Sequence, residues 1–133
     1  MMKAISGKSM RSINFNTTLE CSDNSGAKLV YMITVFGQKT RKRQYPSGGV
    51  GDMVNVVVKK GKPEVRKKVL RAVIIRTKQG MRRANGMRVR FDNNAVVITD
   101  KDGLPKSSEI KGCVPKEVGE RYPKIVGLAS VIV

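Results

Sequence analysis

Apolar side chains recur at every second position in several short segments of the chain, and turn-forming residues separate these segments. This period predicts β-strands over residues 17–21, 27–36, 52–60, 69–78, 87–91 and 95–99. In the segment 52–60 it places Val54, Val56 and Val58 on one face. In the segment 27–36 the side chains that share a face are Leu29, Tyr31, Ile33 and Val35. Five or six short strands joined by Gly, Asn and Asp turns predict a small closed β-barrel.

The C-terminal third of the chain lacks this alternation. Residues 107–109 predict the start of a single helical turn. Residues 114–122 predict a short helix that ends before Pro123, because a proline disfavours helical geometry in the residue that precedes it. The last run, 124–133, is mostly small and apolar. We expect it to pack either on the barrel or on a protein neighbour, and the sequence leaves both open.

Composition adds a strong positive charge to this picture. The 133 residues include 27 Lys and Arg, 10 Asp and Glu and no histidine, so the formal net charge is +17. Residues 39–90 carry a net charge of +15, because 17 of these cations lie there beside only Asp52 and Glu64. Repulsion on this scale opposes folding unless a polyanion supplies counter-charge. Nucleic acid is the polyanion that this pattern favours.

The aromatic content narrows the kind of nucleic acid. Three Tyr, three Phe and no Trp are too few for the successive base-stacking platforms of single-strand binders. Recognition of folded RNA by shape and phosphate therefore fits better. A membrane surface fits less well, because the basic segment predicts strands rather than an amphipathic helix. No apolar run approaches the roughly 20 residues of a membrane-spanning helix, so we expect no membrane partner.

Three basic clusters supply the candidate RNA-binding residues. One lies on a predicted loop at 39–43, one is a basic turn at 59–68, and one surrounds Asn85 and Gly86, a strong hairpin signal. Arginine is frequent among them, and its planar fork suits phosphate. The candidates are Lys39, Arg41, Lys42, Arg43, Lys59, Lys60, Lys62, Arg66, Lys67, Lys68, Arg76, Lys78, Arg82, Arg83, Arg88 and Arg90.

The sequence lacks the parts that most enzymes need. Without histidine there is no imidazole to activate a serine or cysteine or to bind a metal. The glycines near residue 50 match neither common phosphate-loop motif. Cys21 and Cys113 lie far apart, without CxxC spacing, which favours reduced thiols. We therefore expect no catalytic residue, no cofactor and no metal. The N-terminus has no apolar signal-peptide core, so we also expect no export.

Two kinds of function fit these features. The first is a structural ribonucleoprotein component that sits permanently on folded RNA. The second is a freely exchanging OB-like RNA-binding module, such as an RNA chaperone or a translation factor. The few aromatic residues and the single concentrated basic segment favour the first.

Several spaced motifs resemble those of a known family, the L-fourteen family of large-subunit ribosomal proteins. The resemblance is strongest in the order Ala72-Val73-Ile74-Ile75, Asn85-Gly86, Phe91, Asn94 and Val97-Ile98. Residues 23–28, 51–54 and 57–63 are similar to that family's first turn, central strand and basic turn. The basic turn at 59–68 resembles the archaeal and eukaryotic branch, and the short N-terminal extension favours an archaeal source.

The resemblance implies a fold and a place of action. It implies a mainly β protein with a small five-stranded β-barrel, a projecting β-ribbon at 77–90 and a C-terminal region of short helices. We accordingly expect a basic N-terminal extension at 1–16, the barrel with its RNA-binding ribbon at 17–99, and a short-helix region packed on the barrel at 100–133. The protein would be cytoplasmic, in the ribosome.

The resemblance also implies partners. Large-subunit rRNA is the main one, and small-subunit rRNA is contacted at an intersubunit bridge. Neighbouring ribosomal proteins of the L-three and L-twenty-four-e families are the protein contacts. An exposed face would be a docking site for the anti-association initiation factor six.

Overall fold

The computed structural model describes residues 4–37 and 45–133. Their secondary structure is mostly short strands with two short helices near the C-terminus. The strands are β1 (Lys8–Ser9), β2 (Ile13–Asn14), β3 (Thr18–Cys21), β4 (Ala27–Val35), β5 (Ser47–Gly48), β6 (Met53–Gly61), β7 (Val69–Arg76), β8 (Met81–Arg82), β9 (Arg88–Val89), β10 (Ala95–Thr99), β11 (Ile110–Val114) and β12 (Ala129–Ile132). The helices are α1 (Val118–Arg121) and α2 (Pro123–Leu128).

Five of the strands close into a barrel in the order β10-β3-β4-β6-β7. Neighbours in this order are antiparallel, but the closure between β10 and β3 is parallel and places Val96 opposite Cys21. The predicted small closed five-stranded β-barrel is therefore confirmed. The predicted strand at 87–91 shortens to β9 and lies outside the barrel, in a three-stranded sheet of order β1-β8-β9.

The barrel encloses one hydrophobic core, which we call the barrel core. In β6, Val54, Val56 and Val58 all point into it, as the alternation predicts. The face predicted for β4 is wrong at Val35, which does not share a side with Tyr31 and Ile33. Val30 and Met32 are the fully buried side chains there, whereas Leu29, Tyr31 and Ile33 are only partly buried. A register shift between Met32 and Thr34 then turns Val35 to the same side as Val30.

A second cluster, the outer core, lies on the outside of β7 and β10. In β7, Ala72 and Ile74 point into the barrel core, while Val73 and Ile75 point into the outer core. The C-terminal region, residues 100–133, covers this outer face and supplies several of its buried side chains: Ile110, Val114, Val118, Tyr122 and Ile125. Because both faces of β7 are buried, its sequence is a nearly continuous apolar run and does not alternate between apolar and polar residues.

The C-terminal region corrects two predictions. Residues 107 and 108 form bends and residue 109 leads into β11, so there is no helical turn at 107–109. The helix predicted over 114–122 shortens to α1, and Pro123, expected only to end it, also begins α2. The break falls at Tyr122, whose φ of −131° and ψ of 77° are not helical. Proline at the first position of a helix loses no hydrogen bond, since that N–H has no partner within the helix.

The last run of the chain, 124–133, packs on the barrel through part of its length, and packing on a protein neighbour stays a prediction. Ile125 is buried in the outer core, and β12 pairs in parallel with β11. Val131, Ile132 and Val133 are 54%, 52% and 41% exposed. The run therefore packs on the barrel and leaves an apolar tip at the surface. Among the described residues, no helix is long and apolar enough to cross a membrane.

Candidate nucleic-acid interface

The basic turn, residues 59–68, is held in one shape by its backbone. The N–H of Lys62 donates to the Gly26 carbonyl at 3.0 Å, and the N–H of Lys67 donates to the Val58 carbonyl at 3.0 Å. Val65 packs against the barrel core from within the turn. Lys67 has a φ of +64°, in the left-handed region that non-glycine residues rarely adopt. These contacts make the turn a fixed projection of the barrel.

Every cation of the basic turn points to solvent. Its exposed basic side chains are those of Lys59, Lys60, Lys62, Arg66, Lys67 and Lys68. Apart from Glu64, the turn holds no acidic residue that could neutralise them. Six cations on one rigid projection create a strongly positive surface, which suits a polyanion.

The ribbon, residues 77–90, is a short hairpin whose two strands, β8 and β9, pair antiparallel. Asn85 and Gly86 lie at its tip, as the hairpin signal predicts, and the Asn85 side-chain oxygen accepts the N–H of Met87 at 3.0 Å. Met81 is fully buried in the outer core and anchors the ribbon there. The exposed cations of the ribbon are Lys78, Arg82, Arg88 and Arg90.

Arg76 lies inside the protein rather than on the candidate surface, with only 7% of its area exposed. Its Nη1 donates to the carbonyls of Lys111 at 3.2 Å and Cys113 at 2.9 Å. Its Nε donates to the Asn93 side chain at 3.2 Å, and its Nη2 donates to the Ser22 hydroxyl. The guanidinium thus fastens β11 to the barrel. We therefore leave Arg76 out of the surface proposed below.

Glycine is required where β11 passes over Arg76. A Cβ built on Gly112 would lie 2.3 Å from the Arg76 guanidinium, and Gly112 has a φ of +78°. Any side chain there would displace the guanidinium from its carbonyl acceptors. The local geometry of β11 is therefore fitted to the arginine beneath it.

Arg83 is also turned inward, toward the C-terminal region. Its Nε lies 3.0 Å from Oε1 of Glu117, and the two side chains are only 14% and 2% exposed. Its Nη2 also donates to the backbone oxygen of Val133. A buried carboxylate needs a counter-charge, so this ion pair fixes the ribbon against the C-terminal region. Arg83 likewise stays outside the proposed surface.

Two further groups of cations bear on the candidate surface: the predicted cluster at 39–43 and Lys8, which the sequence analysis did not include. Lys39, Arg41, Lys42 and Arg43 lie outside the described residues. Lys8 is exposed on β1, directly opposite Arg82 of the ribbon. Sequence reasoning missed Lys8, because no local pattern signals a two-residue strand that pairs with a distant hairpin.

The glycines near residue 50 surround a carboxylate rather than an empty anion cradle. Oδ2 of Asp52 accepts the N–H of Gly49 at 2.8 Å. Oδ1 of Asp52 lies 3.0 Å from Nη1 of Arg121, which also donates to the Gly51 carbonyl. The backbone donor of Gly49 is thus already engaged by an acid, so this loop offers no phosphate site.

The two cysteines are free thiols in the described part of the chain. Cys21 donates its S–H to Oδ1 of Asp23 at 2.9 Å. Burial raises the pKa of the Cys21 thiol to about 12, and the Asp23 charge adds to the effect. A thiol with so high a pKa is a poor nucleophile at neutral pH. The described residues contain no group of three or more His, Cys, Asp or Glu side chains that could hold a metal ion.

A rigid β-barrel with basic projections is typical of a structural protein of a ribonucleoprotein particle, and comparison with known proteins supports this class. The family model described as Ribosomal protein L14p/L23e matches residues 12–133. The large ribosomal subunit protein uL14 of Methanoregula boonei is 51% identical over 132 residues, which cover 99% of this chain and 100% of the relative. The uL14 protein of Methanothrix thermoacetophila has the same identity and coverage. That of Methanococcus maripaludis is 50% identical over 131 residues, 98% of this chain and 99% of the relative.

The chain therefore belongs to the L14p/L23e family of ribosomal proteins. It is a structural protein of the large ribosomal subunit and not an enzyme, and its place is in the cytoplasm, within the ribosome. The predicted family is confirmed, and the three relatives named above come from archaea. Membership implies large-subunit rRNA and other ribosomal proteins as its surroundings.

Proposed function

We propose that this chain binds large-subunit rRNA directly, through the exposed cations of the basic turn and the ribbon. The observation that carries the proposal is the basic turn, where six exposed cations project from a backbone held by the barrel. The side chains that we assign to this surface are Lys59, Lys60, Lys62, Arg66, Lys67, Lys68, Lys78, Arg82, Arg88 and Arg90. The cluster of Lys39, Arg41, Lys42 and Arg43 belongs to the same proposal on its sequence alone.

The mechanism needs no chemical step. The closed barrel is a rigid mount, and the cations on its projections neutralise phosphates and release the counter-ions condensed on the RNA. Because the backbone of the projections is already fixed, little backbone conformational entropy is lost on binding. If about eight cations contact phosphate, the slope of log K against log salt should be roughly −6 to −7.

The contacts with particular protein partners are proposed from the family resemblance. An apolar surface on the C-terminal region supports them. Val131, Ile132 and Val133 are exposed at the end of β12. A groove of about 570 Å³ on the C-terminal region is lined by Leu104, Pro105, Pro123, Lys124, Gly127 and Leu128. Exposed apolar surface of this kind favours protein partners. We assign to it the contacts with neighbouring proteins of the L-three and L-twenty-four-e families and the docking of initiation factor six.

The bridge to small-subunit rRNA belongs to the same set of proposals. The exposed cations that large-subunit rRNA leaves free would supply its contacts, since a bridge to RNA also needs positive charge. A freely exchanging RNA-binding module is the alternative, and family membership favours the assembled component.

Sedimentation of tagged protein from a cell lysate through a sucrose gradient separates these two functions. We expect the protein to stay with the large subunit at low salt and at roughly 0.5 M salt, because contacts with neighbouring ribosomal proteins hold it when salt has weakened the phosphate contacts. Release into the light fractions at moderate salt would instead identify an exchanging module. A charge-preserving control, Arg66→Lys, should sediment as the parent does.

A further inference from the structure

The solvent face of the three-stranded sheet β1-β8-β9 carries three cations in register. Lys8 lies directly opposite Arg82, and Arg82 lies directly opposite Arg88. Residues paired in this way across a sheet place their side chains on the same face, roughly 5 Å apart at Cβ. All three side chains are exposed. We call them the three-cation row.

The other face of this sheet packs on the protein and fixes the direction of the row. The register pairs Ser9 with Met81 and Met81 with Val89, and these inner residues are buried or partly buried. Met81 and Val89 belong to the outer core. Because side chains alternate along a strand, burial of this inner row holds the three cations toward solvent.

Two further contacts hold the strands of the sheet together. A Cβ built on Gly7 would lie 2.6 Å from the Arg82 carbonyl, so glycine is needed for β1 to approach the ribbon this closely. The ion pair between Arg83 and Glu117 fastens the ribbon from its inner side. The N-terminal segment is thus a built part of the ribbon surface.

Three like charges in a cross-strand row are unfavourable without a ligand. Like charges directly opposite each other destabilise a sheet, and the ribbon itself contains no acidic residue. An anion placed over the row removes this repulsion and gains hydrogen bonds from two guanidinium groups, which bind phosphate in a bidentate manner. The geometry therefore favours a phosphate backbone as the ligand.

We propose that Lys8, Arg82 and Arg88 form one phosphate-binding site for the backbone of large-subunit rRNA, with the N-terminal segment supplying its third cation. This site deepens the RNA-binding function proposed above and rests on it. Lys8, within the basic N-terminal extension, is then a part of the interface.

The first test compares the salt dependence of RNA binding in single variants. Lys8→Met, Arg82→Met and Arg88→Met each remove one charge and keep a long side chain. Each should reduce the magnitude of the slope of log K against log salt by about 0.7 to 0.9, with in-vitro-transcribed large-subunit rRNA as the probe. Lys101→Met is the matched control. Lys101 is exposed between Asp100 and Asp102, and its loss should leave the slope unchanged.

The second test needs no RNA. If the row is a set of repelling charges, Lys8→Met should raise the thermal midpoint of the free protein at low salt. The gain should vanish near 1 M salt, where screening acts within a few ångströms. Lys101→Met should lower that midpoint or leave it unchanged, since Lys101 has two acidic neighbours.

The outcomes distinguish this inference from the function on which it rests. An unchanged slope for Lys8→Met beside reduced slopes for the two arginine variants would overturn the role of Lys8 and keep the RNA-binding ribbon. Unchanged slopes for all three variants would overturn the site while the protein still binds RNA. Failure of the parent protein to bind the rRNA would overturn the proposed function itself. An unchanged thermal midpoint for Lys8→Met at low salt would show that the cations of the three-cation row do not repel one another.

Discussion

The basic turn and the two inward-facing arginines use the same kind of residue in opposite ways. Arg66, Lys67 and Lys68 extend into solvent from a turn that the barrel holds in place. Arg76 and Arg83 point into the seam between the barrel and the C-terminal region, where carbonyls, a hydroxyl and a carboxylate engage them. Both sets lie within the same strongly basic segment of the sequence.

The difference shows that the net charge of a segment does not tell how many of its cations are available to bind RNA. An exposed cation on a rigid mount loses little on meeting a phosphate and gains from counter-ion release. A buried guanidinium has already exchanged water for protein acceptors, and its removal leaves those acceptors without partners. Substitution of the exposed cations should therefore lower RNA affinity. Substitution of Arg76 or Arg83 should lower the stability of the fold.

The largest expected effect on stability comes from Arg76. Arg76→Ala removes four hydrogen bonds, among them those to the Ser22 hydroxyl and to the Lys111 and Cys113 carbonyls of β11. We expect the free energy of unfolding to fall by about 3 kcal/mol or more, measured by urea denaturation. Arg71→Ala is the control on the same strand. It loses a contact with the Phe36 ring at 4.5 Å and should lower stability by no more than about 1 kcal/mol. Equal losses of stability in the two variants would contradict the role of Arg76 in fastening β11 to the barrel.

The second effect concerns RNA affinity and comes from the basic turn. Changing Arg66, Lys67 and Lys68 together to Glu should weaken rRNA binding strongly and reduce the magnitude of the salt slope by about 2 to 3. Stability should change little, because all three side chains are exposed. Binding titrations over a salt series, together with thermal melts, measure both quantities.

A matched triple variant controls for total charge. Lys101, Lys106 and Lys124 are exposed on the C-terminal region, and changing them together to Glu alters net charge by the same amount. We expect a smaller loss of rRNA affinity from this variant. If far-UV circular dichroism showed that the basic-turn variant is unfolded, those three residues would be structural and our interpretation of the turn would be wrong.

The smallest effect is a pH dependence at Cys21, which packs against the barrel core. The pKa of Cys21 is raised from 9.0 to about 12, mainly by burial. In the unfolded chain this thiol therefore loses its proton at lower pH than in the folded protein. The contribution of Cys21 is fully present below pH 9 and is lost as the pH rises toward about 12.

The variant Cys21→Ala isolates this contribution from the titration of lysines and tyrosines. Relative to that variant, the parent protein should lose stability between neutral pH and about pH 11, as measured by urea midpoints. Parallel pH profiles for the two proteins would show that the thiol ionises equally in both states. Elemental analysis provides a separate check, since we expect both cysteines to remain reduced without stoichiometric zinc.

Much of the barrel could be predicted from the sequence, because strand alternation is a local property. Val54, Val56 and Val58 share a buried face as their spacing requires, and Asn85-Gly86 turns the ribbon. The prediction failed in β4, where a bulge between Met32 and Thr34 shifts the alternation by one residue. It also failed at 107–109, where pairing of the following strand with β12 outweighs the local helical signal.

The barrel strands, the turns between them, the excess of positive charge and the family motifs can all be read from the amino-acid order. Which cations are available to a partner depends instead on how distant parts of the chain pack together. Alternation tells which side of a strand a residue occupies, but not what covers that side. The C-terminal region folds over Arg76 and Arg83, and the N-terminal segment brings Lys8 beside Arg82. Both depend on pairing between distant parts of the chain, which no local pattern records.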